Sequence, residues 1–323
     1  MLIRPRRLRE PSFLRHMVQE NFFHISDLIF PCFLTKNDTS EIQSIPNNFY
    51  YTENSILKKI EDLSKKGLKA ILAFPKIDSH EKDEEGSFYT KETNFFYQTL
   101  KAIKKNFPDI ILMADVALDP YTSHGHDGIF KNNSVLNDAT IDHLCILSTL
   151  LASSGVDILA PSDMMDGRIK KIRQHLDQNG FEYKAIMSYS CKFASQLYSP
   201  FRLAVDAHLI GDKKGYQLSP SQSKEALVEA ILDVEEGADI ILVKPGMFYL
   251  DILEKLKHKI LVPLAVYHTS GEYIMIHHSK HILNEDFILK ELLLSFKRAG
   301  SSLIITYYTE KILNNPHFFT DHL

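Results

Sequence analysis

The sequence predicts an α/β fold, a (β/α)8 TIM barrel preceded by an N-terminal arm. Three observations carry that prediction. Eight short apolar runs alternate with segments of helical periodicity along the chain. Glycines stop helices just before strands, as in Gly237-Ala238-Asp239 and Gly300-Ser301-Ser302. Ionisable and hydroxyl residues crowd where the runs end, which is where barrel enzymes carry their chemistry. An open doubly wound sheet would more often bring a phosphate-binding glycine loop, and neither GxGxxG nor a Walker motif occurs.

The predicted strands are Leu28–Phe33, Ala70–Phe74, Ile110–Val116, Val156–Ala160, Lys184–Ser188, Asp239–Lys244, Leu264–Tyr267 and Leu303–Tyr307. The apolar stretch of the fifth runs on to Cys191 before Lys192. Helical spacing is clearest in Ile56–Lys66, Thr93–Lys105, Asp138–Ser154, Ser223–Gly237 and Glu285–Gly300. The acidic stretch Asp78–Gly86 reads as a surface loop. Residues 1–25 read as an oligomerisation arm and 26–323 as one catalytic barrel. Arg4, Arg6, Arg7 and Arg9 fit a subunit contact better than a nucleic-acid tail. They are few, they lack interleaved aromatics, and the chain is acidic overall.

Composition narrows the class. With 323 residues, 44% of them hydrophobic, the chain can bury a barrel-sized core. A net charge of −4 gives no global attraction for nucleic acid. Cys32, Cys145 and Cys191 form no CxxC or zinc-ribbon pattern, which fits a reducing, cytoplasmic setting. The apolar runs fall far short of the ~20 residues of a membrane span. The first nine residues lack the apolar core of a signal peptide.

Two lysines carry the main chemical signal. Lys192 ends the fifth run and Lys244 the sixth. Neighbouring parallel strands lie roughly 4.8 Å apart, so both amines emerge on one rim. Mutual repulsion and apolar walls both lower an amine pKa toward neutrality. A neutral lysine attacks ketones to form a Schiff base, and two of them suit a site for two carbonyl substrates. The ordinary alternative is a pair of solvated lysines past strand ends.

Other strand-end groups extend the pattern. Asp115 closes the third run, and Asp119, His124, His126 and Asp127 follow it, as an acid/base loop, a metal site or simply a hydrogen-bonded turn. The fourth run leads into Ser162, Asp163 and Asp166. Arg202, Lys213 and Gln217 lie in a long turn-rich segment after Lys192. That segment is suited to a lid, and its cations to clamping a carboxylate, although solvated surface charge is the plainer reading. Ser270 and Tyr307, after the seventh and eighth runs, could orient a second carboxylate. No GxSxG elbow surrounds a serine, which argues against a serine hydrolase.

Taken together, Asp115–Gly128, Ala160–Ile169 (APSDMMDGRI), Ser188–Arg202 (SYSCKFASQLYSPFR), Leu242–Ile252 (LVKPGMFYLDI) and Ser270-Gly271-Glu272-Tyr273 are specific. In that order, the chain resembles the 5-aminolevulinate dehydratase (porphobilinogen synthase) family nearly end to end. The resemblance implies a hydro-lyase of heme biosynthesis. It would condense two 5-aminolevulinate molecules into porphobilinogen, with loss of two waters, through Schiff bases on Lys192 and Lys244. It implies that Lys244 holds the molecule that becomes the propionate side and Lys192 the acetate side. Arg202, Lys213 and Gln217 fall where the family binds the acetate-side carboxylate, and Ser270 and Tyr307 where it binds the propionate-side one. Asp115 and Ser162 line the same site. A homo-octamer with wrapping arms is also implied.

The chain departs from part of the family. Zinc-dependent members carry three cysteines where this chain has Ala117, Asp119 and Asp127, so no catalytic zinc is expected. It resembles the magnesium-responsive branch, which implies an allosteric Mg2+ at Glu229. A further ion near Asp119 and Asp127 stays open. Lys213 stands where many members have arginine, giving a point charge instead of a fork. His268 replaces an expected glutamine. The competing enzyme reading is a class I aldolase, which needs one Schiff-base lysine. The non-enzyme reading is an inactive barrel acting in assembly or binding, and the intact strand-end groups argue against it.

Overall fold

The computed structural model describes residues 2–91 and 93–319. Eight parallel strands form the barrel: β1 (Leu28–Leu34), β2 (Ala70–Pro75), β3 (Ile111–Val116), β4 (Ile158–Pro161), β5 (Ala185–Lys192), β6 (Ile240–Lys244), β7 (Leu264–His268) and β8 (Leu303–Thr306). Each pairs with the next in sequence, and β8 returns to β1 through Leu28↔Ile304 and Ile29↔Ile305, which closes the sheet. Closure removes both edges and leaves every strand covered by helices outside and side chains inside. That explains near-continuous apolar runs in place of an alternating pattern. All seven residues of β1 and all six of β2 are buried.

The helices begin and end where the sequence supplies caps. Thr52 accepts from Ser55 N at the start of Glu53–Lys65, and Asn94 from Phe96 N at the start of Phe95–Asn106. Asn284 does the same for Glu285–Ala299, accepting from Asp286 N and Phe287 N. That helix stops at Gly300, whose φ of 112° lies in the left-handed region. Gly237 does the same job after Lys224–Glu235, with φ 108°.

Predicted and observed strands agree to within a few residues. The largest difference is β5, which continues past Ser188 to Lys192. It does so because β6 pairs with it to the end, through Val243↔Cys191 and Lys244↔Lys192, after a register shift beyond Ile241. Such a bulge re-aims the side chains that follow it.

Two segments differ in setting from the barrel. The arm forms a short turn at Pro5–Leu8 and a helix at Ser12–Met17, neither with a buried residue. Leu2 (93% exposed), Phe13 (72%) and Met17 (66%) find no cover on this chain, whereas Phe23 reaches Phe318 and Phe319. The stretch Asp78–Gly86 is more than the surface loop its charge suggests. Lys82 Nζ donates to the carbonyls of Val205 (2.9 Å) and Asp206 (2.7 Å), and Ser123 N donates to Asp83 O at 2.8 Å. Asp83, Glu84 and Glu85 face solvent, while the Lys82 side chain and the Asp83 backbone tie the stretch to two active-face loops.

Candidate active site

The C-terminal rim of the barrel gathers the candidate residues. Lys192 and Lys244 are direct partners across the parallel β5–β6 pair. Both are buried, at 5% and 7% exposure, which sets aside the solvated-lysine alternative. Their surroundings differ. Lys192 Nζ donates to the carbonyl oxygen of Ser162 and lies 3.5 Å from Asp127 Oδ1. Lys244 Nζ sits among aromatic rings, 4.4 Å from the centroid of Tyr267, 5.1 Å from Tyr198, 5.2 Å from Tyr189 and 5.3 Å from Phe201. Burial, then repulsion from Lys192, pushes the Lys244 amine down to about 7. Ring faces stabilise an ammonium to a degree, but they accept no strong hydrogen bond from it. A substantial fraction of the Lys244 amine is therefore neutral near pH 7.

The β3 loop supplies the acidic side of the site. Asp115 is buried, its Oδ1 has no hydrogen-bond partner, and the Ser162 hydroxyl faces it. Burial and then Asp119 raise its carboxyl to about 7, the range in which an acid can both give and take a proton. Asp127 goes the other way. Burial opposes its ionisation, but Lys192 and Lys213 outweigh that and hold it down at about 2. Lys213 Nζ bridges Asp119 (3.3 Å) and Asp127 (3.2 Å) with all three side chains buried. Burial disfavours that ammonium, yet the two carboxylates raise its pKa.

Of positions 117, 119 and 127, the first is an alanine and the other two are aspartates joined through Lys213. His124 and His126 turn away toward backbone carbonyls, of Glu84 (3.0 Å) and Ile210 (2.8 Å). The loop is thus packed by ion pairs through Lys213 and by histidine contacts to backbone carbonyls. Among the described residues, Asp78, His80 and Glu81 place ligating atoms within 4.8 Å of one another, but Lys36 already bridges two of these carboxylates at 3.3 and 2.8 Å.

The remaining predicted residues converge from three segments. Lys213 and Gln217 come from the loop after β5, and Gln217 Oε1 is buried without a partner. Arg202, half-buried on the helix Ser199–Ala204, lies over the Tyr198 ring at 5.9 Å. Ser270 Oγ accepts from Phe201 N at 3.0 Å and donates to Leu197 O at 3.3 Å, so it docks that helix onto the rim. Tyr307 OH pairs with Tyr267 OH at 3.0 Å, beside Lys244. Asp115, Ser162, Lys192, Arg202, Lys213, Gln217 and Lys244 line one cavity of about 20 Å³, room for roughly one water. Four of its lining residues, Phe201, Arg202, Lys213 and Gln217, come from the segment between Ser199 and Leu218.

Glu229 lies apart, half-buried on the helix Lys224–Glu235, in a groove of about 670 Å³ with Asp166 and Glu225. The groove also reaches Tyr216 and Gln217, so it backs onto the same loop as the cavity. Burial raises the Glu229 carboxyl to about 7 although Arg168 opposes this, and Asp233, Asp166 and Glu225 add to the rise.

Some neighbours went unread in the sequence. Tyr189, Tyr198, Phe201 and Tyr267 wall Lys244, but aromatic residues in or beside strands look the same whether they pack a core or a site. Behind β4 and β5, Arg168 forms a two-point pair with Asp233 (3.1 and 3.2 Å) and donates to Ser188 Oγ at 3.1 Å, all of it buried. Its basic charge in a polar stretch gave no signal of burial.

A closed barrel with two rim lysines, one depressed toward neutrality, defines a Schiff-base-forming enzyme. A family model described as delta-aminolevulinic acid dehydratase matches residues 2–315. The delta-aminolevulinic acid dehydratase of Chlamydia pneumoniae is 45% identical over 319 residues, covering 97% of this chain and 96% of that one. That of Helicobacter pylori is 43% identical over 320 residues, covering 97% and 98%. A crystal structure of the Toxoplasma gondii enzyme, in complex with the reaction product porphobilinogen, superposes with a TM-score of 0.95. It is 41% identical and covers 97% of this chain and 91% of that one. The chain belongs to the delta-aminolevulinic acid dehydratase family.

Proposed function

We propose that Lys244 and Lys192 divide the family reaction between them. That reaction condenses two 5-aminolevulinate molecules into porphobilinogen with loss of two waters, and this chain catalyses it as a hydro-lyase of porphyrin biosynthesis. One observation supports the division of labour most strongly: the two amines are register partners in unlike environments. The neutral Lys244 amine attacks the ketone carbon of the propionate-side molecule. The resulting carbinolamine loses water to give the imine. Lys192 forms the corresponding imine with the acetate-side molecule. Asp115, poised near 7, serves as the proton carrier between them. Carbon–carbon and carbon–nitrogen bond formation then joins the two, each lysine is released as the free amine, and the ring aromatises by losing a proton.

The carboxylate contacts follow the charges. Arg202, Lys213 and Gln217 receive the acetate-side carboxylate, and Gln217 is an amide with a buried free oxygen to reorient. Ser270 and Tyr307 receive the propionate-side carboxylate. A class I aldolase would leave the second lysine without a task. Incubation with 5-aminolevulinate and colorimetric assay of the pyrrole tests this reading. Turnover is expected, and a folded protein that yields no pyrrole would overturn it.

Regulation and assembly extend the proposal. Glu229, with Asp166 and Glu225 nearby and the Arg168 charge committed to Asp233, offers uncompensated carboxylate density that suits Mg2+. The ion would be held there, away from the reacting atoms, and would bias the loop that carries Tyr216 and Gln217. The catalytic lysines require no zinc in this scheme. Residues 1–25 act as an arm and residues 26–323 as the barrel, whose last four residues lie outside the described ones. The uncovered apolar side chains of the arm suit burial against neighbouring subunits of a homo-octamer. No described helix is long and apolar enough to cross a membrane. We place the enzyme in the cytoplasm, where three unpaired buried cysteines stay reduced.

A further inference from the structure

The motif Ser270-Gly271-Glu272-Tyr273 contains a carboxylate for which the chemistry above has no use. Glu272 is fully buried. It begins as a helix cap: Oε2 accepts from Thr269 N at 2.6 Å and from Thr269 Oγ1 at 2.8 Å, at the start of the helix Ser270–Ser279. Ordinary capping would end there. Here the same carboxylate reaches across to the β6 loop. Oε1 accepts from Met247 N at 2.5 Å and Oε2 from Gly246 N at 3.3 Å. Burial raises its pKa to about 6, and these donors oppose the rise, so it is ionised at neutral pH.

The two segments it joins carry Lys244, which lines the cavity, and Ser270, which docks the helix Ser199–Ala204 beside that cavity. Gly246 and Met247 follow Lys244 by two and three residues. Gly246 is pressed so close to the barrel that a Cβ would lie 2.7 Å from Val266 Cγ2 and 2.9 Å from the Phe296 ring. The Lys244 carbonyl is held in turn by Phe193 N (2.9 Å) and Tyr198 OH (3.0 Å). The Lys244 amine, among rings, has only weak directional contacts, so the backbone on either side must aim it. On the other segment, Ser270 sits two residues before Glu272 on the capped turn.

We propose that Glu272 is a positioning residue that fixes the spacing between the Lys244 amine and the Ser270 hydroxyl, and so matches the site to one keto-acid chain length. The proposal rests on the reading that Ser270 receives the propionate-side carboxylate. On that reading, a 4-oxo acid would place its ketone carbon at Lys244 and its carboxylate at Ser270. Loosening the Glu272 bridge leaves both groups present but out of step, which slows the covalent step without removing either partner.

The test uses borohydride trapping of the full-length protein with levulinate, a 4-oxo acid lacking the amine, with adducts at Lys244 and Lys192 quantified by peptide mapping. Glu272→Gln places an amide N–H2 among four donors. It should lower the trapping rate at Lys244 on the order of tenfold to a hundredfold, with trapping at Lys192 unchanged. If Glu272→Gln fails to fold, Thr269→Val removes one donor, keeps the carboxylate, and should give a smaller loss confined to Lys244. An equal fall at both lysines, or an undiminished rate at Lys244, would overturn the proposal. A wild-type protein that forms no adduct at Lys244 would instead overturn the reading on which it rests.

Discussion

Lys192 and Lys244 face each other as register partners on adjacent parallel strands, yet one amine is hydrogen-bonded and the other is ringed by aromatics. The asymmetry matters because two equal ammonium groups at this distance would repel without either becoming a good nucleophile. Both are buried, and a direct ion pair with a carboxylate at only one makes their electrostatic settings unlike.

That asymmetry predicts a pH dependence. Lys244 falls from 10.5 to about 7, so the ascending limb of kcat/KM should have a midpoint near 7, as the neutral form appears. Its effect on stability has the matching sign. Between about 7 and 10.5 the unfolded chain binds the proton that the folded chain has released, so stability rises with pH across that window. Below it, both states carry the charge and the burial penalty is fully present. Lys244→Met should therefore stabilise the protein by a few kcal/mol at pH 6 and by much less near pH 10, while abolishing turnover. Urea unfolding at the two pH values measures the difference.

Lys213 is predicted to hold the β3 loop together as well as to bind substrate. Lys213→Ala leaves buried Asp119 without its ammonium and Asp127 with only Lys192 beside it. It should cost on the order of 3–5 kcal/mol at neutral pH and raise KM. Asp127 is held at about 2 against a usual 3.8. Its contribution is complete above the higher value and lost as pH falls through the lower one, so wild type and variant should converge in stability in that acid window. Denaturation midpoints that stay equally far apart at pH 7 and pH 2 would show that the pair is not the cause.

The metal predictions separate catalysis from regulation. Exhaustive treatment with a thiophilic zinc chelator should leave a magnesium-supplemented enzyme active. Glu229→Ala should lose magnesium stimulation while both lysines still trap substrate. Loss of activity that only zinc restores would contradict the assignment at positions 117, 119 and 127.

Deleting residues 1–9 removes the Arg4 to Arg9 cluster and the exposed Leu2 and Ile3. The truncated chain should sediment as smaller oligomers with lower specific activity, because Leu2, Ile3 and Leu8 find no cover on their own barrel. Equal sedimentation and turnover would make the segment a simple tail.

The sequence made the barrel readable because parallel strands buried on both faces leave unbroken apolar runs, and glycines such as Gly237 and Gly300 mark where each helix must stop. It made the lysines readable because a charge ending an apolar run has few structural uses. The cage of Tyr189 and Tyr267 was not readable, since inward-facing aromatics pack a core in the same way. Nor was the Lys213 bridge between Asp119 and Asp127, which joins residues 86 to 94 positions apart and depends on how a long loop folds back. Arg168 reads as a solvated helix start until Asp233, 65 residues on, is seen beside it.

Covalent trapping tests the two-lysine mechanism most directly. Borohydride reduction in the presence of 5-aminolevulinate, followed by peptide mapping, should find adducts at Lys244 and at Lys192 in the wild type. Lys244→Ala should lose the first and Lys192→Ala the second, with turnover abolished in each. Modification confined to other lysines, or turnover surviving either substitution, would contradict the mechanism.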